Sequence, residues 1–171
     1  MASRRSARSP VVLLGALLLA GVLWLARSPL WHAPSPALPA TALVARVVDG
    51  DTVELDDGRR LRYLGIDTPE VRRRRGQDWI YAPEPFAEAA SEANRALVEG
   101  RRVRLEYDTR TQDKYDRLLA YVYVGDTCIN AELLRRGLAR VLILPPNTHH
   151  ADAFAALQRQ AREQRVGMWG E

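Results

Sequence analysis

Two stretches of the chain carry carboxylates and arginines in an order suited to phosphate chemistry. The first runs Val47-Val48-Asp49-Gly50-Asp51-Thr52-Val53 and resumes at Leu61-Arg62-Tyr63-Leu64-Gly65-Ile66-Asp67-Thr68-Pro69-Glu70. It offers the carboxylates of Asp51, Asp67 and Glu70 and the guanidinium of Arg62. Proline at 69 drives Thr68 toward an extended conformation and starts a turn. That turn lets Asp67, the Thr68 carbonyl and Glu70 face one point. An all-oxygen donor set without Cys or His favours calcium or magnesium over zinc. Either piece alone also reads as ordinary structure, Asp-Gly-Asp as a turn and Asp67 as a cap. The chemistry rests on their combination.

The second stretch, Asp113-Lys114-Tyr115-Asp116-Arg117-Leu118-Leu119-Ala120-Tyr121, brings another arginine to the entry of a strand. Two forked guanidinium groups beside a carboxylate-bound cation can take phosphate oxygens in pairs. They also neutralise the charge that grows during attack on phosphorus. Glu70 then remains to activate water.

Such groups need strand ends and loops gathered at one place. Runs rich in Val, Leu and Ile predict strands over 42–48, 52–55 and 59–66, with Asp56-Asp57-Gly58 as a hairpin turn. Phe86, Ala89, Ala90, Ala93 and Leu97 fall on one face of a helix over 84–99, which Gly100 stops. Val103, Leu105 and Tyr107 alternate with Arg102, Arg104 and Glu106 in a fourth strand, and 118–124 form a fifth. A short helix capped by Asn130 ends at Gly137, and a last helix runs from about His149 to Arg165. The expected fold class is mainly β with helices (α+β): a five-stranded Greek-key barrel with about three helices, one of them inserted between the third and fourth strands.

At these residues the chain resembles the staphylococcal nuclease-like (thermonuclease) family. The likeness is carried by Asp-Gly-Asp-Thr at 49–52, Arg62, Asp67-Thr68-Pro69-Glu70, the segment from Asp113 to Tyr121, Ala131 to Leu138, and Asn147-Thr148-His149. It covers nearly all of 41–171. The resemblance implies an oligonucleotide-binding (OB-fold) barrel with helices. It implies a calcium ion held by Asp51, Asp67 and the Thr68 carbonyl, Glu70 as general base, and Arg62 and Arg117 on the phosphate. Lys114 and Tyr115 match positions that line the nucleotide pocket. The family reaction cuts DNA or RNA to leave a 3′-phosphate and a 5′-hydroxyl. One departure stands out: after Arg140-Val141 the family has tyrosines that flank the nucleotide, whereas this chain has Leu142-Ile143-Leu144-Pro145-Pro146. Trp79 and Tyr81 are the aromatics available to replace them. A catalytically weak or inactive nucleic-acid-binding module of the same fold, anchored at the cell envelope, is the alternative. Retention of Asp51, Arg62, Asp67, Glu70 and Arg117 together favours the enzyme.

A chain of 171 residues, 47% apolar and 27% charged, has room for one packed domain and a short appendage. One cysteine excludes an internal disulfide framework and a Cys-rich zinc module. The net charge of +4 misleads as an average: four of the 25 basic residues and no acid lie in the first forty, which leaves 21 basic against 21 acidic residues beyond. A charged partner must therefore be argued from placement, and Arg72 to Arg75 form a basic loop beside Glu70 that can draw in a polyanion. Adjacent His149 and His150 at a helix start would point about 100° apart, which argues against a shared metal.

Arg4, Arg5 and Arg8 precede an uninterrupted apolar run from Val11 to Ala26. Its helical length of about 24 Å is short of the ~30 Å hydrocarbon core. The arginine asymmetry places the N-terminus inside and the rest outside. Pro29, Pro34, Pro36 and Pro39 detach residues 1–40, a signal or signal-anchor segment with a Pro-rich linker, from a domain over 41–171. A hydrophobic helix retained in the membrane through 11–26 and a cleaved signal both stay open. Either exports the domain, anchored on the non-cytoplasmic side or released as a secreted or periplasmic protein. The expected partner is nucleic acid, with no protein partner and a monomeric chain.

Overall fold

The barrel turns on a bend in β1 (Thr41–Val47). In the computed structural model, which describes residues 37–170, the first half of this strand pairs with β7 (Arg102–Glu106) and the second with β2 (Thr52–Leu55). The β1–β2 register shifts between Val44 and Arg46. An extra residue sharpens a strand's bend, so one strand serves two neighbours across a corner. From β2 the chain returns as β3 (Arg60–Tyr63) through the expected turn at Gly58, whose φ is 83°. β7 pairs antiparallel with β8 (Leu118–Val124), and β3 runs parallel to β8 with Leu61 opposite Leu118. That last pairing closes five strands into a barrel. Val44, Val53, Leu55, Leu61, Tyr63, Val103 and Leu118 are buried within the core.

Three helices pack on the barrel. Between β3 and β7 comes α1 (Ala87–Val98), which lies against β1 and buries Ala87, Ala90, Asn94 and Val98. It begins three residues later than expected because Pro85 disfavours a helical Glu84 and Phe86 turns with φ of 68°. After the short β9 (Thr127–Cys128), α2 (Ile129–Arg135) starts from Cys128, so Asn130 is not its cap. Asn130 instead lies buried inside the first turn. Its Nδ2 donates to the Leu64 carbonyl at 2.8 Å and its Oδ1 accepts from the Val122 N–H at 2.9 Å, tying α2 to β8 and to the turn after β3. The last helix, α3 (Ala151–Glu163), packs on α2 and buries Phe154, whose ring meets Tyr121 of β8 edge-on.

Two more departures concern the region around the acidic motif. The strand expected over 59–66 breaks at Gly65, and the chain resumes as β4 (Ile66–Asp67), paired with β10 (Arg140–Val141). Gly65 has φ of +76°, and a Cβ there would stand 2.8 Å from the Phe154 ring, so glycine alone permits both the turn and the close approach. The basic segment expected to be a loop is β5 (Arg72–Arg75), hydrogen-bonded to β6 (Asp78–Tyr81) as an exposed two-stranded hairpin. The leader, with its expected hydrophobic helix over 11–26, lies outside the described residues. Among the described residues no helix is long and apolar enough to cross a membrane.

Candidate active site

Gly50 decides where Asp51 sits. A Cβ at this position would lie 2.5 Å from Thr68 Oγ1 and 2.9 Å from Ala90 Cβ of α1. Only glycine lets the link between β1 and β2 close onto Thr68 and the helix. Asp51 is thereby buried, 1% exposed, and its N–H donates to Asp49 Oδ1 at 3.0 Å. Its carboxylate is fully engaged. Oδ2 accepts from the Thr68 N–H (2.8 Å) and hydroxyl (3.1 Å), while Oδ1 accepts from the Thr52 hydroxyl (3.3 Å) and pairs with the Arg62 guanidinium. Arg62 Nη2 also lies 2.6 Å from Asp67 Oδ1. Asp51 and Asp67, sixteen residues apart, thus converge on a single positive charge.

Glu70 sits exposed beyond Pro69, and the chain closes behind it where the Glu84 N–H donates to the Glu70 carbonyl at 2.9 Å. Its carboxyl is held above the ordinary range by partial burial and by the charges of Asp49, Asp67 and Glu84, against the pull of Arg62. Asp49 is raised too, by burial, against Arg62. The acids therefore share one arginine that balances several negative charges. Thr68 meets Asp51 through its amide and hydroxyl. Two converging carboxylates without Cys or His form a hard-oxygen set that fits calcium or magnesium rather than zinc.

On its other flank Arg62 lines a groove of about 540 Å³ together with Arg117, Lys114, Tyr115, Leu142 and Leu144. Arg117 is held by Asp113, whose carboxylate accepts from its Nε (2.7 Å) and from the backbone N–H groups of Tyr115 (2.9 Å) and Arg117 (3.0 Å). Asp116 closes this turn with φ of 61°, a conformation Asp tolerates. Burial pushes the Asp113 carboxyl up, but these hydrogen bonds outweigh it and leave the group below its usual range. Tyr115, 67% exposed, stands with Lys114 Nζ 5.0 Å and Arg117 Cζ 5.6 Å from its ring centre. Every expected site residue is thus either at the acid cluster, which includes Glu70, or on the groove, and Arg62 belongs to both. Glu70 is not among the groove-lining residues.

Sequence reasoning overlooked three positioning groups. Asp113, though quoted in the motif, aims Arg117, and its i, i+4 spacing to an arginine was the available signal. Asn147 exchanges two hydrogen bonds with the Arg110 backbone, 2.7 and 2.8 Å, across the groove wall. Asn94, fully buried, accepts from the Tyr63 hydroxyl (2.9 Å) and donates to the Asp49 carbonyl (3.1 Å), pinning the acidic link to α1.

The profile of the staphylococcal nuclease homologue family matches residues 60–171. The chain belongs to the staphylococcal nuclease family. It is 39% identical over 130 residues to the thermonuclease of Staphylococcus intermedius, covering 74% of each chain. It is 36% identical over 138 residues to the thermonuclease of Staphylococcus hyicus, covering 79% of each. It is 37% identical over 131 residues to the endonuclease YncB of Bacillus subtilis, 74% of this chain and 60% of that one. This staphylococcal nuclease homologue is therefore an enzyme of the phosphodiester-hydrolysing nuclease class. Its groove wall carries Leu142 and Leu144 where the family's flanking tyrosines were expected.

A second polar cluster lies where α3 meets the barrel. His150 Nε2 is 2.8 Å from Glu106 Oε1 and 3.3 Å from the Tyr123 hydroxyl, and His149 Nε2 is 3.9 Å from Glu106. One ligand atom from each of Glu106, His149 and His150 falls within 4.8 Å of the others. The expected divergence of the two histidines assumed helical spacing, yet both precede the first residue of α3.

Proposed function

We propose that this nuclease is an exported, calcium-dependent hydrolase of DNA or RNA. The observation that carries the reading is the double membership of Arg62: one guanidinium faces the converging carboxylates of Asp51 and Asp67 and also lines the groove that holds Arg117. A phosphodiester laid in that groove meets two arginine forks, each able to take two phosphate oxygens. Lys114 and Tyr115 at the mouth offer a cation and a flat aromatic surface to the adjoining nucleotide. Asp51, Asp67 and the Thr68 carbonyl would hold calcium, which when bound would neutralise phosphate charge. Glu70 accepts a proton from the attacking water as its oxygen bonds to phosphorus. The bond from phosphorus to O5′ breaks, O5′ takes up a proton, and the products are a 3′-phosphate and a 5′-hydroxyl. Arg62 and Arg117 stabilise the charge that peaks between these events.

The test is cleavage of single-stranded DNA, duplex DNA and RNA, each with calcium and with a chelator. Cleavage is expected only with calcium, and full activity in chelator would overturn the metal assignment. Glu70→Gln keeps size and hydrogen bonding but removes the proton acceptor, so kcat should fall by ~10²–10⁴ while oligonucleotide affinity changes little. Unchanged kcat would remove Glu70 as the base.

A further inference from the structure

Neither the acid cluster nor the groove uses the β5–β6 hairpin. Its register sets Arg72 opposite Tyr81 and Arg74 opposite Trp79. Directly opposed residues share a face of a ladder, and so do alternate residues along each strand. One face therefore presents Arg72 and Arg74 down one strand and Tyr81 and Trp79 down the other, with Ile80 and Asp78 on the reverse. The rings serve no core: Trp79 is 65% and Tyr81 64% exposed. Two large exposed aromatics on a short hairpin mark a binding surface rather than a packing error. The Tyr81 hydroxyl is tethered to Glu88 of α1, which holds that ring in place before any ligand arrives. The hairpin springs from the site itself, since Ala82 N–H donates to the Val71 carbonyl (3.2 Å) and Glu84 N–H to that of Glu70 (2.9 Å).

Charge and shape select the occupant. Arg72, Arg74 and Arg75 stand in a ladder that carries one acid, Asp78, which suits a polyanion. Aromatic faces on an open strand stack with unpaired bases, whereas a duplex hides its base faces in its own stack. We propose that this face is a single-strand arm: bases beyond the cleaved linkage stack on Trp79 and Tyr81 while Arg72 and Arg74 take the neighbouring phosphates. The inference rests on the nuclease reading only in treating the bound strand as substrate.

Binding of a labelled single-stranded 20-mer and of a duplex of equal length is measured in chelator, with the oligonucleotide checked intact afterwards. The double variant Trp79→Ala/Tyr81→Ala should lose roughly tenfold or more in single-strand affinity and far less for duplex. Trp79→Phe/Tyr81→Phe should restore most of it. Arg72→Gln/Arg74→Gln should flatten the slope of log affinity against log salt by about 1.4. Hydrolysis of a dinucleotide, which has no bases beyond the cleaved linkage to lay along the hairpin, should change far less in every variant. Wild-type single-strand affinity in the alanine variant, or equal losses for duplex and single strand, would overturn the arm. So would binding to anionic vesicles that these same substitutions abolish. A wild-type protein that binds the 20-mer through the hairpin yet cleaves nothing would instead sink the catalytic reading and leave the arm standing.

Discussion

Single side chains carry the chemistry, and the two arginines differ in how they are held. Arg62 is held through Nη1 by Asp51 and through Nη2 by Asp67, whereas Arg117 is aimed by one carboxylate, Asp113, across its own turn. Lysine at either position keeps the charge but loses the planar fork. Were the arginines only attractants, lysine would serve. Both line one groove and residues 41–171 are near neutral overall, so under the proposed function their contribution would fall on the charge developed during attack. Arg62→Lys and Arg117→Lys should each lower kcat by about 10²–10³ while oligonucleotide affinity stays within a few-fold. Steady-state kinetics with separate binding measurements check this. Near-normal kcat in either variant removes that arginine from the catalytic set.

At the scale of elements, buried side-chain amides and one carboxylate hold helices to strands. Asn130 joins α2 to the Leu64 carbonyl and the Val122 N–H. Asn130→Leu strands both backbone groups in the core, at about 1–3 kcal/mol each, so urea unfolding should show a loss of about 2–6 kcal/mol. Glu106 on β7 holds the start of α3 through His150, with His149, Tyr123 and Arg104 also facing it. Burial raises its carboxyl, but hydrogen bonds from His150 and Tyr123 and the charges of both histidines win, and the group ends below its ordinary range. A depressed carboxyl stabilises the fold above the unfolded-state value near 4.3–4.5, and this contribution disappears as pH falls through the folded value. Unfolding midpoints of the wild type and Glu106→Gln should therefore differ most above pH 5 and converge toward pH 3. A gap that persists unchanged at pH 3 would remove the charge from this latch.

At the scale of the whole chain, the barrel follows an arginine-flanked apolar segment. Under the proposed function, calcium held by Asp51 and Asp67 would bind only where the fold has brought them together, so it should stabilise the folded state by about 2.7 kcal/mol at a hundred times its dissociation constant. The urea midpoint should rise with calcium in the wild type and not in Asp67→Asn, a readout independent of cleavage. The arginines ahead of Val11 and the apolar run to Ala26 predict that residues 41–171 lie outside the cytoplasmic membrane. Protease added to intact cells, after any outer membrane is opened, should digest the domain. Protection until the inner membrane is broken would contradict export.

Much of this protein was legible in residue order alone. The acidic and arginine motifs, the five strands of the barrel and the placement of one helix between β3 and β7 follow from local alternation, turn residues and helical spacing, because each depends on neighbours a few positions apart. Five features did not. The β5–β6 hairpin hid behind its charge, since a strand solvated on both faces shows no apolar alternation. Gly65 broke a continuous apolar strand because Phe154, some ninety residues on, needed the space of its side chain. Asn130 looked like a cap and proved to be a bridge, because its partners Leu64 and Val122 arrive only when the barrel closes. The two histidines meet Glu106 because they precede α3 rather than belong to it. The convergence of Asp51 and Asp67 on Arg62 likewise required the β2–β3 pairing, which sets Thr52 opposite Arg62. Local chemistry named the groups, and contacts between distant parts of the chain chose which of them touch.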